Sequence, residues 1–103
     1  MKILVNKDYG GFSVSKEVYD YLGIPWDGYG FLRDKHFGME NEENGELYRS
    51  HPKLIEAVEC IGIEKSNGYL SKLEIIEIPD DVKDWKMKKY DGWETIHEKH
   101  RSW

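Results

Sequence analysis

The dipeptide Asp91-Gly92 constrains the fold of this chain more than any other feature. It is the pair that a two-residue type I′ hairpin needs, because both central residues take positive φ. A turn there sets a register: Tyr90 opposite Trp93, Lys89 opposite Glu94, Lys88 opposite Thr95, Met87 opposite Ile96 and Trp85 opposite Glu98. Side chains alternate along a strand. One face of the hairpin therefore carries Trp85, Met87 and Ile96 flanked by Lys89–Glu94, and the other pairs Tyr90 with Trp93 and Lys88 with Thr95. Pairs of this kind contribute roughly 0.2–1 kcal/mol each. A helix competes for the last segment. Asp91 suits an N-cap with Glu94 at the third helical position, and Trp93, Ile96, His97 and His100 fall at helical spacing. The hairpin is preferred because its register yields chemically sensible pairs throughout. With a strand over residues 69–78, entered from the Asn67-Gly68 turn and left at Pro79-Asp80-Asp81, residues 70–103 read as a three-stranded antiparallel meander.

The 103 residues suffice for one domain with one modest core. Hydrophobic residues make up 39% and charged residues 34%, which separates the chain from disordered sequences. No apolar run reaches the roughly 18 residues of a membrane span, and MKILVNKDYGG has no signal-peptide core. The expected compartment is the cytoplasm, without membrane contact. A lone cysteine, Cys60, allows no internal disulfide and no cysteine-rich zinc site. The net charge of −5 predicts no general affinity for nucleic acid. That charge is uneven: residues 83–103 hold six Lys/Arg and four Asp/Glu, +2, leaving −7 elsewhere. Protective lysines on a solvated strand edge explain the basic block, and an anionic ligand near it is the other reading.

Residues 2–6, KILVN, predict a buried first strand. Ser15 suits the N-cap of a short helix over 16–22, with Val18, Tyr21 and Leu22 on one face and Gly23 ending it. Residues 24–50 form a long irregular stretch with Trp26, Tyr29, Phe31, Phe37 and Tyr48, and an acidic loop tip at 40–46. Loops of this length are functional or disordered, and its rings either cover a small sheet or build a contact surface. Pro52 starts a helix over 52–61, capped by Ser50 or His51, with Leu54, Ile55, Val58 and Ile61 as its stripe and Cys60 half-buried beside it.

Three blocks, MKILVNKDYGGFSVSKEV, RSHPKLIEAVECIGIEKSNGYLSKLEIIEIPDDV and YDGWETIHEKHRSW, resemble a group of small uncharacterised bacteriophage and prophage proteins. The likeness lies in a YGGF-type loop, an RxxPxLI helix start, an xNG turn, a KLxIxEIPDDV strand and a final YDGxExIxEKHRxW block. It covers about two thirds of the chain. It implies a phage setting, a host-cell cytoplasm and the company of proteins that block host machinery, immune systems included; it brings no site.

The expected fold is α+β, a single domain over residues 1–103 with the helices packed on one face of a small sheet and a homodimer burying surplus rings. His97 and His100 lack a third ligand at any signature spacing, so no metal and no cofactor are expected. Candidate ligand- or partner-binding residues are Tyr9, Phe12, Trp26, Phe31, Arg33, Tyr90, Trp93, Lys99, His100, Arg101 and Trp103. The first functional reading is a non-enzymatic protein that sequesters a small anionic, nucleotide-like ligand, rings stacking the base and Arg101, Lys99 or Arg33 meeting phosphate. A second is an inhibitor that docks on a host protein through loop 24–48. A third, a small hydrolase, needs titratable groups converging in a cleft. The KHRSW end either folds back on the sheet or offers Arg101 and Trp103 to a partner.

Overall fold

The computed structural model describes residues 1–39, 46–82, 84–98 and 101–103. Its order is β1 (Lys2–Asn6), α1 (Lys16–Leu22), 3-10 turns at Asp34–Phe37 and Leu47–Ser50, α2 (Pro52–Ile61), α3 (Ile63–Ser66), β2 (Leu73–Glu77), β3 (Lys86–Tyr90) and β4 (Trp93–His97). The class is α+β.

β1 organises the packing. Its alternating side chains enter two different cores. Leu4 joins Val18, Tyr19, Leu54, Val58 and Leu73 under the helices. Ile3 and Val5 join Ile78, Val82, Trp85 and Ile96 under the β3–β4 hairpin. β2 obeys the same alternation, with Leu73 and Ile75 toward the helices and Ile76 and Ile78 toward the hairpin. Helices cover one face of the β1–β2 ribbon and the hairpin the other.

The three-stranded meander is therefore corrected. β2 pairs antiparallel with β1, Leu4 opposite Ile75, and among the described residues β3 pairs only with β4. A strand apolar on both faces needs cover on both, and β1, paired edge to edge with β2, obtains it from the helices on one face and the β3–β4 hairpin on the other. The expected strand over 69–78 shortens to Leu73–Glu77, because Tyr69 and Leu70 stand exposed before the ladder begins.

The hairpin has the expected register at four of its five expected pairs. Asp91 at φ 47° and Gly92 at φ 91° make the turn left-handed at both central positions. The fifth pair is replaced: the ladder ends at Lys86–His97, and Trp85 sits in the second core. The chain end folds back on β4, with Trp103 N–H donating to Ile96 C=O (2.7 Å) and Ile96 N–H to Trp103 C=O (2.8 Å).

The helices start and stop where expected. His51 caps α2, its Nδ1 accepting from Lys53 N–H at 3.2 Å. Ser15 precedes α1, but its hydroxyl donates to Lys65 C=O instead of capping. Two faces differ from the reading. Tyr19 is the buried tyrosine of α1 and Tyr21 is exposed. Cys60 is exposed, taking a 3.6 Å contact from Tyr21 Oη.

Candidate functional site

Loop 24–39 divides its rings. Leu32 is buried and Phe37 stacks on the buried Tyr48, centroids 5.6 Å apart and planes within 9°. Trp26, Tyr29 and Phe31 stay outside. The Asp27 carboxylate shapes this outer part. It accepts from the backbone N–H of Tyr29 (2.7 Å), Gly30 (2.5 Å) and Phe31 (3.0 Å). Burial works to raise the Asp27 pKa, but these three donors outweigh it and hold the carboxyl below its ordinary value. Gly30, at φ 87°, then lies against Val14, whose N–H donates to Gly30 C=O at 3.0 Å; a Cβ at Gly30 would overlap the Val14 carbonyl. The loop is thereby docked on residues 13–15.

Between that loop, the glycine-rich segment 10–12 and the 67–70 turn lies an open cleft of about 830 Å³. Phe12, Trp26, Tyr29 and Phe31 line it, with Tyr69 and Leu70 on the opposite rim and Lys16 as the one charged lining residue among those described. Tyr29 and Phe31 stack at 5.5 Å with planes within 8°. Trp26 is fixed edge-on against the buried Tyr19, 5.0 Å away.

Beneath Phe12 sits a buried ion pair. Arg49, on the 3-10 turn before α2, meets Glu94 of β4 through two parallel bonds, Nη1–Oε1 2.7 Å and Nη2–Oε2 2.9 Å. Both side chains are about 1% exposed. Both make further contacts: Arg49 donates to Tyr48 Oη (2.8 Å) and Leu4 C=O (3.2 Å) and pairs with Glu46 Oε2 at 3.1 Å, and Glu94 accepts from Asn6 N–H (2.7 Å). The guanidinium carbon lies 3.3 Å above the Phe12 ring. Burial opposes the Arg49 charge, yet Tyr48, Glu94 and Glu46 together raise its pKa. Burial pushes the Tyr48 hydroxyl up to about 12 against the opposing pull of Arg49. A smaller recess of about 280 Å³ adjoins, sharing Gly11, Phe12 and Phe31 with the cleft and reaching Glu46, Lys89 and Glu94.

The expected site residues fall into separate groups. Phe12, Trp26 and Phe31 meet in the cleft. Tyr9 packs on Trp93, centroids 5.3 Å apart, at the hairpin tip beside the exposed Tyr90. Arg101 bonds Glu98, approaches Asp81 at 3.5 Å and lies over the Trp103 ring. Arg33 precedes the first 3-10 turn, its backbone N–H held by His36 Nδ1 at 3.1 Å. Lys99 and His100 lie outside the described residues, as does most of the acidic tip. The sequence reading missed Arg49 and the burial of Glu94. Arg49, Glu94 and Phe12 come from three segments far apart in the chain and converge on one buried contact. No family model, curated protein or solved structure matches the chain.

Proposed function

We propose that this chain is a non-enzymatic, phage-type accessory protein that withholds a small, flat, nucleotide-like ligand from a host process by binding it in the aromatic cleft. The observation that carries this reading is the cleft itself. Its volume, about 830 Å³, lies within the usual range for small-molecule sites, roughly 300–1,000 Å³. Five of its lining side chains are aromatic, and four of these rings are packed or positioned from below: Phe12 by Arg49, Trp26 by Tyr19, Tyr29 and Phe31 by the Asp27 turn. Rings of this kind stack a base with little ordering cost.

The charge inventory narrows the ligand. Among the described residues Lys16 is the single cation in the lining, and neither Arg33 nor Arg101 reaches it. A base bearing one anionic group suits the cleft better than a polyphosphate. Calorimetry with a panel of nucleosides, mononucleotides and cyclic nucleotides tests this. The expected result is binding that Trp26→Ala and Phe31→Ala each weaken by about tenfold. No heat and no thermal shift at millimolar ligand would reject it.

The exposed rim favours a second reading. Tyr69 is 94% exposed and Leu70 55%, a surplus of apolar surface that suits a host-protein contact. In that case Tyr69→Ala abolishes binding to the host protein while nucleotide titrations stay flat.

A further inference from the structure

A second surface, on the opposite side of the hairpin from the core, has a different chemistry. The register sets Lys86 beside His97, Lys88 beside Thr95 and Tyr90 beside Trp93. Alternation directs these six side chains away from the core that Ile96 and Glu94 enter. No carboxylate occurs among them. At the turn end the rings gather: Tyr90 is 73% exposed, and Trp93 is packed by Tyr9 and overlain by Lys7 Nζ at 5.9 Å. At the other end Lys86 and Lys88 border an open hollow of about 820 Å³ with His97 and Arg101. Arg101 is engaged by Glu98 and Asp81, whereas among the described residues neither Lys86 nor Lys88 enters an ion pair.

We propose that this face of the β3–β4 hairpin binds single-stranded nucleic acid, bases stacking on Tyr90 and the Tyr9–Trp93 pair and phosphates meeting Lys88, Lys86 and Lys7. Stacking rings beside unpaired cations on a solvent-facing sheet are what a flexible, base-exposing polyanion fits. A duplex hides its base faces and leaves those rings unused. Thr95 lies between the two ends and His97 at the hollow, and they add hydrogen-bonding groups that either tautomer of the histidine can use, Thr95 Oγ1 and His97 Nε2 already 2.7 Å apart. The chain's net charge of −5 works against binding, but the screening length at physiological salt is about 8 Å and the molecule is 37 Å long. Local cations therefore decide. Asp84 and the Arg101-bonded Glu98, at the border of the hollow, and Asp91, in the turn, flank the face and set its limits.

Fluorescence anisotropy of an end-labelled strand of about twelve nucleotides tests the assignment, a length within the usual span of such sites. Three phosphate contacts predict a slope of log affinity against log salt of about −2 between about 50 and 200 mM. Lys86→Gln with Lys88→Gln reduces that slope by about 1.4. Tyr90→Ala weakens binding about tenfold and leaves the slope unchanged. All three side chains are exposed, so the variants retain the fold. Absence of an anisotropy rise at about 100 µM protein and the lowest salt overturns the proposal. So does equal affinity for a duplex of the same length, and so does binding that the three substitutions leave untouched.

Discussion

Replacing Arg49 by alanine removes the centre of the buried pair, and the structure indicates how much that costs. The substitution deletes two charge-assisted bonds to Glu94, the bonds to Leu4 C=O and Tyr48 Oη, and the cation over Phe12. It leaves the Glu94 carboxylate 1% exposed with only Asn6 N–H bonded to it among the described residues. Breaking a buried pair in this way costs about 3–5 kcal/mol, far above the 0–1 kcal/mol of an exposed pair. Lys89, 3.8 Å from Glu94 and 46% exposed, can swing toward the orphaned charge and keeps the cost near the lower end. A loss of about 3 kcal/mol takes a large part of the roughly 5–15 kcal/mol that holds a domain together, and lowers Tm by about 12–24 °C. Urea unfolding followed by tryptophan fluorescence measures it. Arg49→Met combined with Glu94→Gln should be less damaging than Arg49→Ala alone, since no unpaired charge remains. A loss below about 1 kcal/mol for Arg49→Ala would falsify the claim that this pair is dry and closes the junction of three segments.

Alkaline pH should weaken the fold through Tyr48. Its folded pKa, raised to about 12, exceeds the ordinary value of 10.0, so the unfolded chain loses that proton first. The resulting stability is complete below pH 10 and is lost as pH rises toward about 12, and Tyr48→Phe should flatten that part of the pH profile of Tm. Asp27 acts in the opposite sense. Its lowered pKa contributes stability above the ordinary carboxyl range that disappears as pH falls, and Asp27→Ala should make Tm less sensitive to acid. Gly30→Ala, at φ 87° and against the Val14 carbonyl, should cost about 1–3 kcal/mol and open the cleft, read as lost stability in urea and weaker nucleotide binding.

Local signals carried much of this architecture. Asp91-Gly92 determined the hairpin and four of its pairs, since a two-residue turn leaves the register no freedom. Pro52 and Gly23 marked helix ends because their backbone preferences act on their own residue. The β1–β2 pairing was not legible. Two apolar strands about 70 residues apart advertise no partner, and the proximity of β2 and β3 in sequence suggested a meander that Pro79 and the turn to Val82 divert. Arg49 hid for a related reason. A charged residue just ahead of a helix reads as surface, and only the convergence of β1, β4 and the Phe12 loop makes it interior. The cleft was half visible: the rings were singled out, but the Asp27 turn that aims them was not, although Asp two residues before a bonded N–H is a recognised turn signal.

The double duty of β1 has a bearing on synthesis. β1 is translated well before β4, yet Asn6 N–H waits for Glu94, 88 positions later, and β4 is itself paired by Trp103 through Ile96. The face of that strand under the hairpin cannot be covered until Ile78, Val82, Trp85 and Ile96 have left the ribosome, whereas the face under the helices meets Val18, Tyr19, Leu54 and Val58 earlier. Ile3 and Val5 are then apolar side chains left open in the nascent chain, and stop codons placed upstream of Trp93 should yield insoluble fragments rather than smaller folded ones.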